Sequence, residues 1–173
     1  MSLHRFSVTL QALACRRGSA AVEMALVTPF FLVLAFGSVD LGNYFLSEHA
    51  VLKGVRDGAR YASRRYPVNC AAVTNDTTSA TATATKYLVR TNTIDGTGAA
   101  RLNGWSDNAT IVVSVACNTD STYLGGVYTA STTGVPVVTV TATVPYTSLF
   151  KAFGITSTTI NLNATAQAAA VGA

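Results

Sequence analysis

Residues 16–24 read RRGSAAVEM and stand directly before an apolar run that extends to about residue 39. In this stretch a basic leader ends in Gly18, and a single carboxylate, Glu23, follows five residues later. No other residue from position 20 to position 39 is charged. A carboxylate near membrane depth is costly and usually has a partner. The junction therefore governs how the rest of the chain is interpreted.

The apolar run is long enough to cross a membrane. Twenty helical residues span about 30 Å, the thickness of a hydrocarbon core. Residues 25–36 are apolar all round, unlike an amphipathic surface helix. Pro29 should kink or loosen the helix, which membrane helices tolerate. We predict a transmembrane segment at about residues 22–41.

The charge of the chain is low and unevenly placed. Charged residues make up 12% of the 173 residues, against about 25% in typical globular domains. The leader before Ser19 has three arginines and no acid, which leaves nine basic against eight acidic residues after it. This excess predicts a cytoplasmic leader and an extracytoplasmic remainder. It is not the basic surface of a nucleic-acid-binding protein, so no nucleic-acid partner is expected.

The helix is predicted to continue beyond the membrane to about residue 66, so that it covers residues 19–66. No proline occurs between positions 40 and 66, and small or apolar residues recur at three- and four-residue steps. This stripe comprises Val39, Asn43, Leu46, Ala50, Val51, Gly54, Val55, Gly58, Ala59 and Ala62. Gly42, Gly54 and Gly58 of this helix should allow close approach to a sheet or to another helix.

Residues 67–173 have the pattern of a small α+β domain. Three runs, 110–116, 137–144 and 159–168, alternate apolar and polar residues with a period of two. This alternation predicts an antiparallel sheet of about three to four strands, covered on one face by the long helix. A second helix is predicted over 77–90, with Ala80, Ala84, Tyr87 and Leu88 on one face, and loops over 69–75 and 95–108.

Residues that carry chemistry are scarce. His4 and His49 have no cysteine or carboxylate at metal-ligand spacing, a serine triad would have to use His49, and no glycine-rich phosphate loop is present. We therefore expect no catalysis, metal or cofactor. Cys70 and Cys117 lie far beyond the membrane segment, whereas Cys15 lies in the leader. The distal pair is either a disulfide, favoured by an oxidising compartment, or two small buried hydrophobic side chains.

Glu23 has two interpretations. It is either an interfacial residue favoured by the positive end of the helix dipole, or one half of a salt bridge. In the second case its partner is an α-amino group made by cleavage after Gly18, on the same chain or on a packed neighbour. We favour the salt bridge, since the glycine, the basic flank and the apolar run agree with it. Glu23 would then be an assembly contact.

Residues 16–29, followed by the Asp-Leu-Gly of residues 40–42 and the VRDGARYA of residues 55–62, resemble the TadE/TadG-like pseudopilins of the tight-adherence (Flp, type IVb or IVc) pilus machinery. The resemblance implies a pilin-like fold and a structural role as a minor pilin. It implies cleavage after Gly18 by a prepilin peptidase, which leaves Ser19 first and Glu23 fifth. The family's motif often has tyrosine after the glutamate, where this chain has Met24.

The resemblance also implies where the protein acts and with what. The expected partners are other pilins or pseudopilins, the inner-membrane assembly platform, the peptidase and inner-membrane lipid. The expected arrangement is a single-pass inner-membrane protein with a cytoplasmic leader (1–18) and a periplasmic domain (67–173), which can enter the extracellular pilus. Two alternatives remain: an uncleaved membrane-anchored binding or adhesion domain, and a secreted protein cleaved after the Ala-Phe-Gly of residues 35–37.

Overall fold

The computed structural model describes residues 17–72, 77–129, 131, 133–148, 150–151 and 160–171. Two long helices and three strands occur in this part of the chain. In order, they are α1 (Arg17–Ser63), α2 (Ala80–Thr91), β1 (Ile111–Asn118), β2 (Val135–Pro145) and β3 (Asn161–Ala169). The chain divides into two compact units, Met1–Gly42 and Asn43–Ala173. The predicted α+β class is confirmed, and the described sheet has three strands.

The described part of the first unit, residues 17–42, is entirely helical. Its apolar side chains are exposed: Leu26 is 74% exposed, Phe30 67% and Phe31 65%. The segment Ala20–Ser63 is long and apolar enough to cross a membrane, as judged by length and composition. The unit thus presents a surface suited to lipid or to other helices, and not to water.

The second unit is built on an antiparallel sheet in the order β1-β2-β3. Val113 lies opposite Val140, and Val140 lies opposite Ala166. Burial alternates along the strands, as the period-two pattern predicted. The buried members are Ile111, Val113, Val115, Val135, Pro136, Val138, Val140, Ala142, Val144, Leu162 and Ala164. Ile160, expected to lie inside the third strand, precedes β3 and is exposed, and residue 159 is outside the described residues.

The distal part of α1 covers the buried face of the sheet. Val51, Val55, Ala59 and Ala62 belong to the same core as the strand residues, so the predicted stripe is correct from residue 51 onward. It is wrong at Leu46, which is 72% exposed. At that level α1 turns a different side toward the domain, because the ring of Tyr44 packs edge-on against Tyr146 with centroids 5.2 Å apart.

A second helix was predicted over 77–90 with four residues on one face, and α2 is that helix, although its buried face is a different one. α2 begins after Ser79, whose side chain accepts a hydrogen bond from Ala82 N. Its buried residues are Ala82, Thr85, Val89 and Thr91, not Ala80, Ala84, Tyr87 and Leu88. The Thr85 hydroxyl donates to Thr81 O at 2.7 Å. This bond satisfies the hydroxyl within the helix and lets the rest of the side chain lie in the core.

Close approach of α1 to α2 explains two glycines of α1. A methyl group at Gly54 would lie 2.6 Å from the carbonyl oxygen of Val89, and one at Gly58 would overlap the Val89 side chain. The predicted neighbour of these glycines was either the sheet or another helix. In the structure the neighbour is α2. Glycine here is a packing requirement that offsets its cost of up to about 1 kcal/mol in a helix.

The predicted loop over 95–108 contributes to the core through a residue that the pattern did not single out. Trp105 is 3% exposed, and its indole N–H donates to the Thr110 hydroxyl at 2.8 Å. A short 3₁₀ turn, Asn108–Thr110, then leads into β1. A single aromatic residue in a loop carries no periodicity, so only the structure shows that it is buried.

Candidate assembly and processing site

The junction that opens the sequence lies at the start of α1. Helix α1 begins at Arg17. Its first two turns therefore contain Gly18, Ser19 and Glu23. Gly18 and Glu23 are both exposed. Ser19 and Glu23 are four residues apart, so they lie on the same side of the helix, with about 6 Å of rise between them. The helix therefore places the Glu23 carboxylate one turn from the backbone nitrogen of Ser19.

Gly18 differs from the glycines of the domain core. A methyl group there would meet nothing within 4 Å in the described structure, and its φ is not in the left-handed region. Glycine within a helix costs up to about 1 kcal/mol relative to alanine. Neither packing nor backbone conformation in the described residues requires a glycine at this position.

The surface that follows the junction is continuous and apolar. Every described residue from position 20 to position 36 is exposed. Gly37 and Gly42 also have open space around them, since a methyl group at either would meet nothing within 4 Å in the described structure, so the close approach predicted at Gly42 is wrong there. The first unit thus combines an exposed carboxylate at its start with an apolar helix whose side chains are exposed among the described residues.

The two distal cysteines form a disulfide in the structure, with Cα atoms 5.9 Å apart. Cys70 lies in the short 3₁₀ turn Cys70–Ala72, just after α1. Cys117 lies on β1, opposite Pro136 of β2. Neither cysteine belongs to the buried core. The bond ties the segment that follows α1 to an outer strand of the sheet.

The second unit contains a cleft of about 820 Å³ between α1, the loop over 101–110 and the end of β2. Asn43 donates to the Tyr146 hydroxyl at 3.0 Å on one side of it. On another side Arg101 bonds Asp57 at 3.0 Å and Asn92 at 2.7 Å. These polar groups bond one another, and no histidine lines the cleft.

The pKa shifts of ionisable groups in the described structure have local causes. The backbone N–H and the hydroxyl of Thr122 lower the pKa of Asp120, and the same groups of Thr97 lower the pKa of Asp95. Burial raises the pKa of Tyr128, whose hydroxyl donates to the carbonyl oxygen of Ala170. In the described part of the chain, no three residues of the His, Cys, Asp and Glu types are grouped to hold a metal ion.

Residues 18–60 match the model of a family described as TadE-like protein. The amino-terminal segment is TadE-like. The match begins at Gly18, includes Glu23 and continues through Gly58, so the family resemblance is confirmed over this segment. No curated protein and no solved structure matches the chain.

The TadE-like segment connects the chain with the tight-adherence pilus system, in which this family is structural. It also accords with the apolar helix and with anchoring in a membrane. The match ends within the distal part of α1, three residues before the helix does. What the α+β domain contributes must therefore be argued from its own structure.

Proposed function

We propose that the protein is a minor pilin, or pseudopilin, that takes part in assembly of a tight-adherence pilus. In this proposal a prepilin peptidase cuts after Gly18 and leaves Ser19 as the first residue. The observation that carries it is the TadE-like match, which starts at Gly18 and extends along the exposed apolar helix. Among the described residues nothing in the fold requires glycine at position 18, which supports recognition of this residue by a peptidase.

Cleavage would create a positive charge beside an existing negative one. The new α-amino group at Ser19 would stand one helical turn before Glu23. Each charge alone is costly in a low-dielectric setting, and pairing reduces that cost. Pairing with the amino group of a neighbouring subunit would also fix the register between two packed helices.

The exposed apolar surface gives the proposal its physical basis. In a bilayer the side chains of residues 20–36 contact lipid, and in a helical bundle the same side chains contact neighbouring subunits. The subunit can therefore leave the membrane without exposing this surface to water. The partners would be other pilins and the inner-membrane assembly platform, with the leader cytoplasmic and the α+β domain periplasmic.

Amino-terminal sequencing of the mature protein from its native host tests the cut. A start at Ser19 is expected. A start at Met1 would overturn processing and favour an uncleaved membrane-anchored domain, and a start at Ser38 would favour a secreted protein. Gly18→Val should block the cut, whereas Gly37→Ala, a change at another open position of α1, should leave it intact.

A Glu23→Ala variant tests the assembly contact separately from the cut. We expect normal cleavage but little or no protein co-purifying with the pilus components, because the amino group loses its partner. Glu48→Ala removes a carboxylate from the same helix farther along and serves as the control, with assembly unchanged. The proposed contact would be overturned if as much Glu23→Ala protein as wild-type protein co-purified with the pilus components.

A further inference from the structure

β3 has an edge that is unusual for a natural sheet. It pairs with β2 on one side and is the last strand of the described sheet. From residue 160 to residue 171 no side chain is charged, and β3 contains no proline. Natural edge strands usually carry charges, proline or bulges that prevent pairing with another chain. The opposite edge strand, β1, differs because it contacts α2.

The hydrogen bonds at the two ends of β3 establish which backbone groups point outward. Tyr146 N donates to Ile160 O, and Ala170 N donates to Pro136 O, both at 2.8 Å. In an antiparallel pair, residues alternate between facing their partner and facing away from it. Even-numbered residues of β3 therefore face β2, and odd-numbered residues 161–169 direct N–H and C=O to the free edge. Among the described residues, no backbone hydrogen bond joins that edge to another segment.

We propose that this edge pairs with β3 of a second copy of the chain, antiparallel and centred on Thr165. In that register Thr165 faces its own equivalent, Asn163 faces Gln167, and Ala164 faces Ala166. On the exposed face the central polar residues meet polar residues and Asn161 faces Ala169 at each end, whereas on the other face apolar residues meet. The two sheets would then join into one of six strands.

Because β3 carries no charged side chain, its free edge is suited to pair with the same edge of a second copy of the chain. In a pair centred on Thr165 a charge at that position would face its own sign directly and would destabilise the pair. β3 has none. The threonine pairing has a precedent within the sheet, since the Thr141 and Thr165 hydroxyl groups lie 3.2 Å apart across β2 and β3.

A cysteine at the centre of the pair provides the test. The variant Thr165→Cys is made in the full chain with Cys15→Ser, so that no leader thiol interferes, and is expressed in membranes and mildly oxidised. Directly opposed hydrogen-bonded residues have Cα atoms about 5.5 Å apart, within the range of a disulfide. We expect most of the protein to run at twice its mass on a non-reducing gel and to return to monomer on reduction.

Two controls make the result specific to the register. Thr143→Cys lies on the exposed face of the central strand β2, and it should stay monomeric. Asn163→Cys alone should also stay monomeric, because its equivalent would be about 14 Å away along the strand. A mixture of differently tagged Asn163→Cys and Gln167→Cys chains should cross-link in mixed pairs.

Several outcomes would overturn the proposal. One is a monomeric Thr165→Cys protein that keeps the Cys70–Cys117 bond and the wild-type melting temperature. Others are equal cross-linking of Thr143→Cys, or a product whose mass is not twice that of the chain. The assay does not depend on cleavage at Gly18 or on pilus formation, so its result and that of the sequencing experiment stand separately.

Discussion

At the scale of single residues, Arg101 is a nearly buried charge that depends on its neighbours. Its side chain is 11% exposed and bonds Asp57, which is 29% exposed, at 3.0 Å. The second bond of its guanidinium goes to Asn92. Its Nε atom is buried with no hydrogen-bond partner in the described structure and packs over Gly54. A buried cation of this kind is tolerated because its counter-charge is in place.

The pair should therefore respond unequally to removal of either partner. Asp57→Ala leaves a buried positive charge and should cost on the order of 2 kcal/mol, below the value for fully buried pairs because Asp57 is partly exposed. Arg101→Met removes the charge and the unpartnered Nε together and should cost less. Thermal unfolding of the full chain in detergent measures both, with the exposed Arg56→Met as control. A larger loss for Arg101→Met than for Asp57→Ala would contradict this account.

The residues of the junction and those of the core differ in how far the sequence predicts them. The proximity of Glu23 to Ser19 follows from helical geometry alone, because both lie on one helix four residues apart. The burial of Trp105 and of Thr85 depends on contacts distant in sequence. Threonine in particular is ambiguous, since a hydroxyl bonded to its own helix allows the side chain to be buried.

At the scale of secondary-structure elements, strands were predicted better than helix faces. A strand has two faces, so alternation such as that of Val138, Val140 and Ala142 leaves little choice about which side is buried. A helix can turn any side inward, and its neighbours decide which. This is why the stripe on α1 is correct where sheet and α2 cover it and wrong at Leu46, where Tyr44 makes the contact instead.

The contact between α1 and α2 predicts an order of effects among three glycines of α1. Gly54→Ala places a methyl group against a backbone oxygen, which cannot move alone, and should cost about 1–3 kcal/mol. Gly58→Ala overlaps Cγ2 of the buried Val89, whose β-branched side chain is stiff, and should cost a similar amount. Gly42→Ala has open space and should not lower the melting temperature, which makes it the control. If Gly54→Ala and Gly42→Ala melted alike, the close approach of the helices would be refuted.

At the scale of the whole molecule, the disulfide holds together parts that are 47 residues apart in sequence. Loop entropy predicts a stabilisation of about 4 kcal/mol for a loop of this length. Cys70→Ser and Cys117→Ser should each lower the unfolding free energy by a similar amount, and the double variant should lose no more than either. Cys15→Ser should have no effect on unfolding. Maleimide labelling of both Cys70 and Cys117 in unreduced protein would contradict the bond.

Fold class and the TadE-like character of the amino-terminal segment could be predicted because both rest on local patterns. These are an apolar run of membrane length, the motif that begins at Gly18, and alternation in three strands. The tertiary contacts within the second unit could not be predicted in this way. The position of α2 against Gly54, the cleft beside Tyr146 and the unprotected edge of β3 depend on how segments distant in sequence meet. No local pattern encodes those meetings.

The disulfide also determines how the molecule would bear tension. Cys70 follows the end of α1 by seven residues and is bonded to Cys117 on β1. A pull between the anchor helix and the carboxyl end would pass through this covalent bridge and bypass residues 71–116. α2 lies in the bypassed stretch, so the chain around it would not be extended. Stretching from the ends would strain the strands that follow Cys117 and leave α2 outside the path of the force.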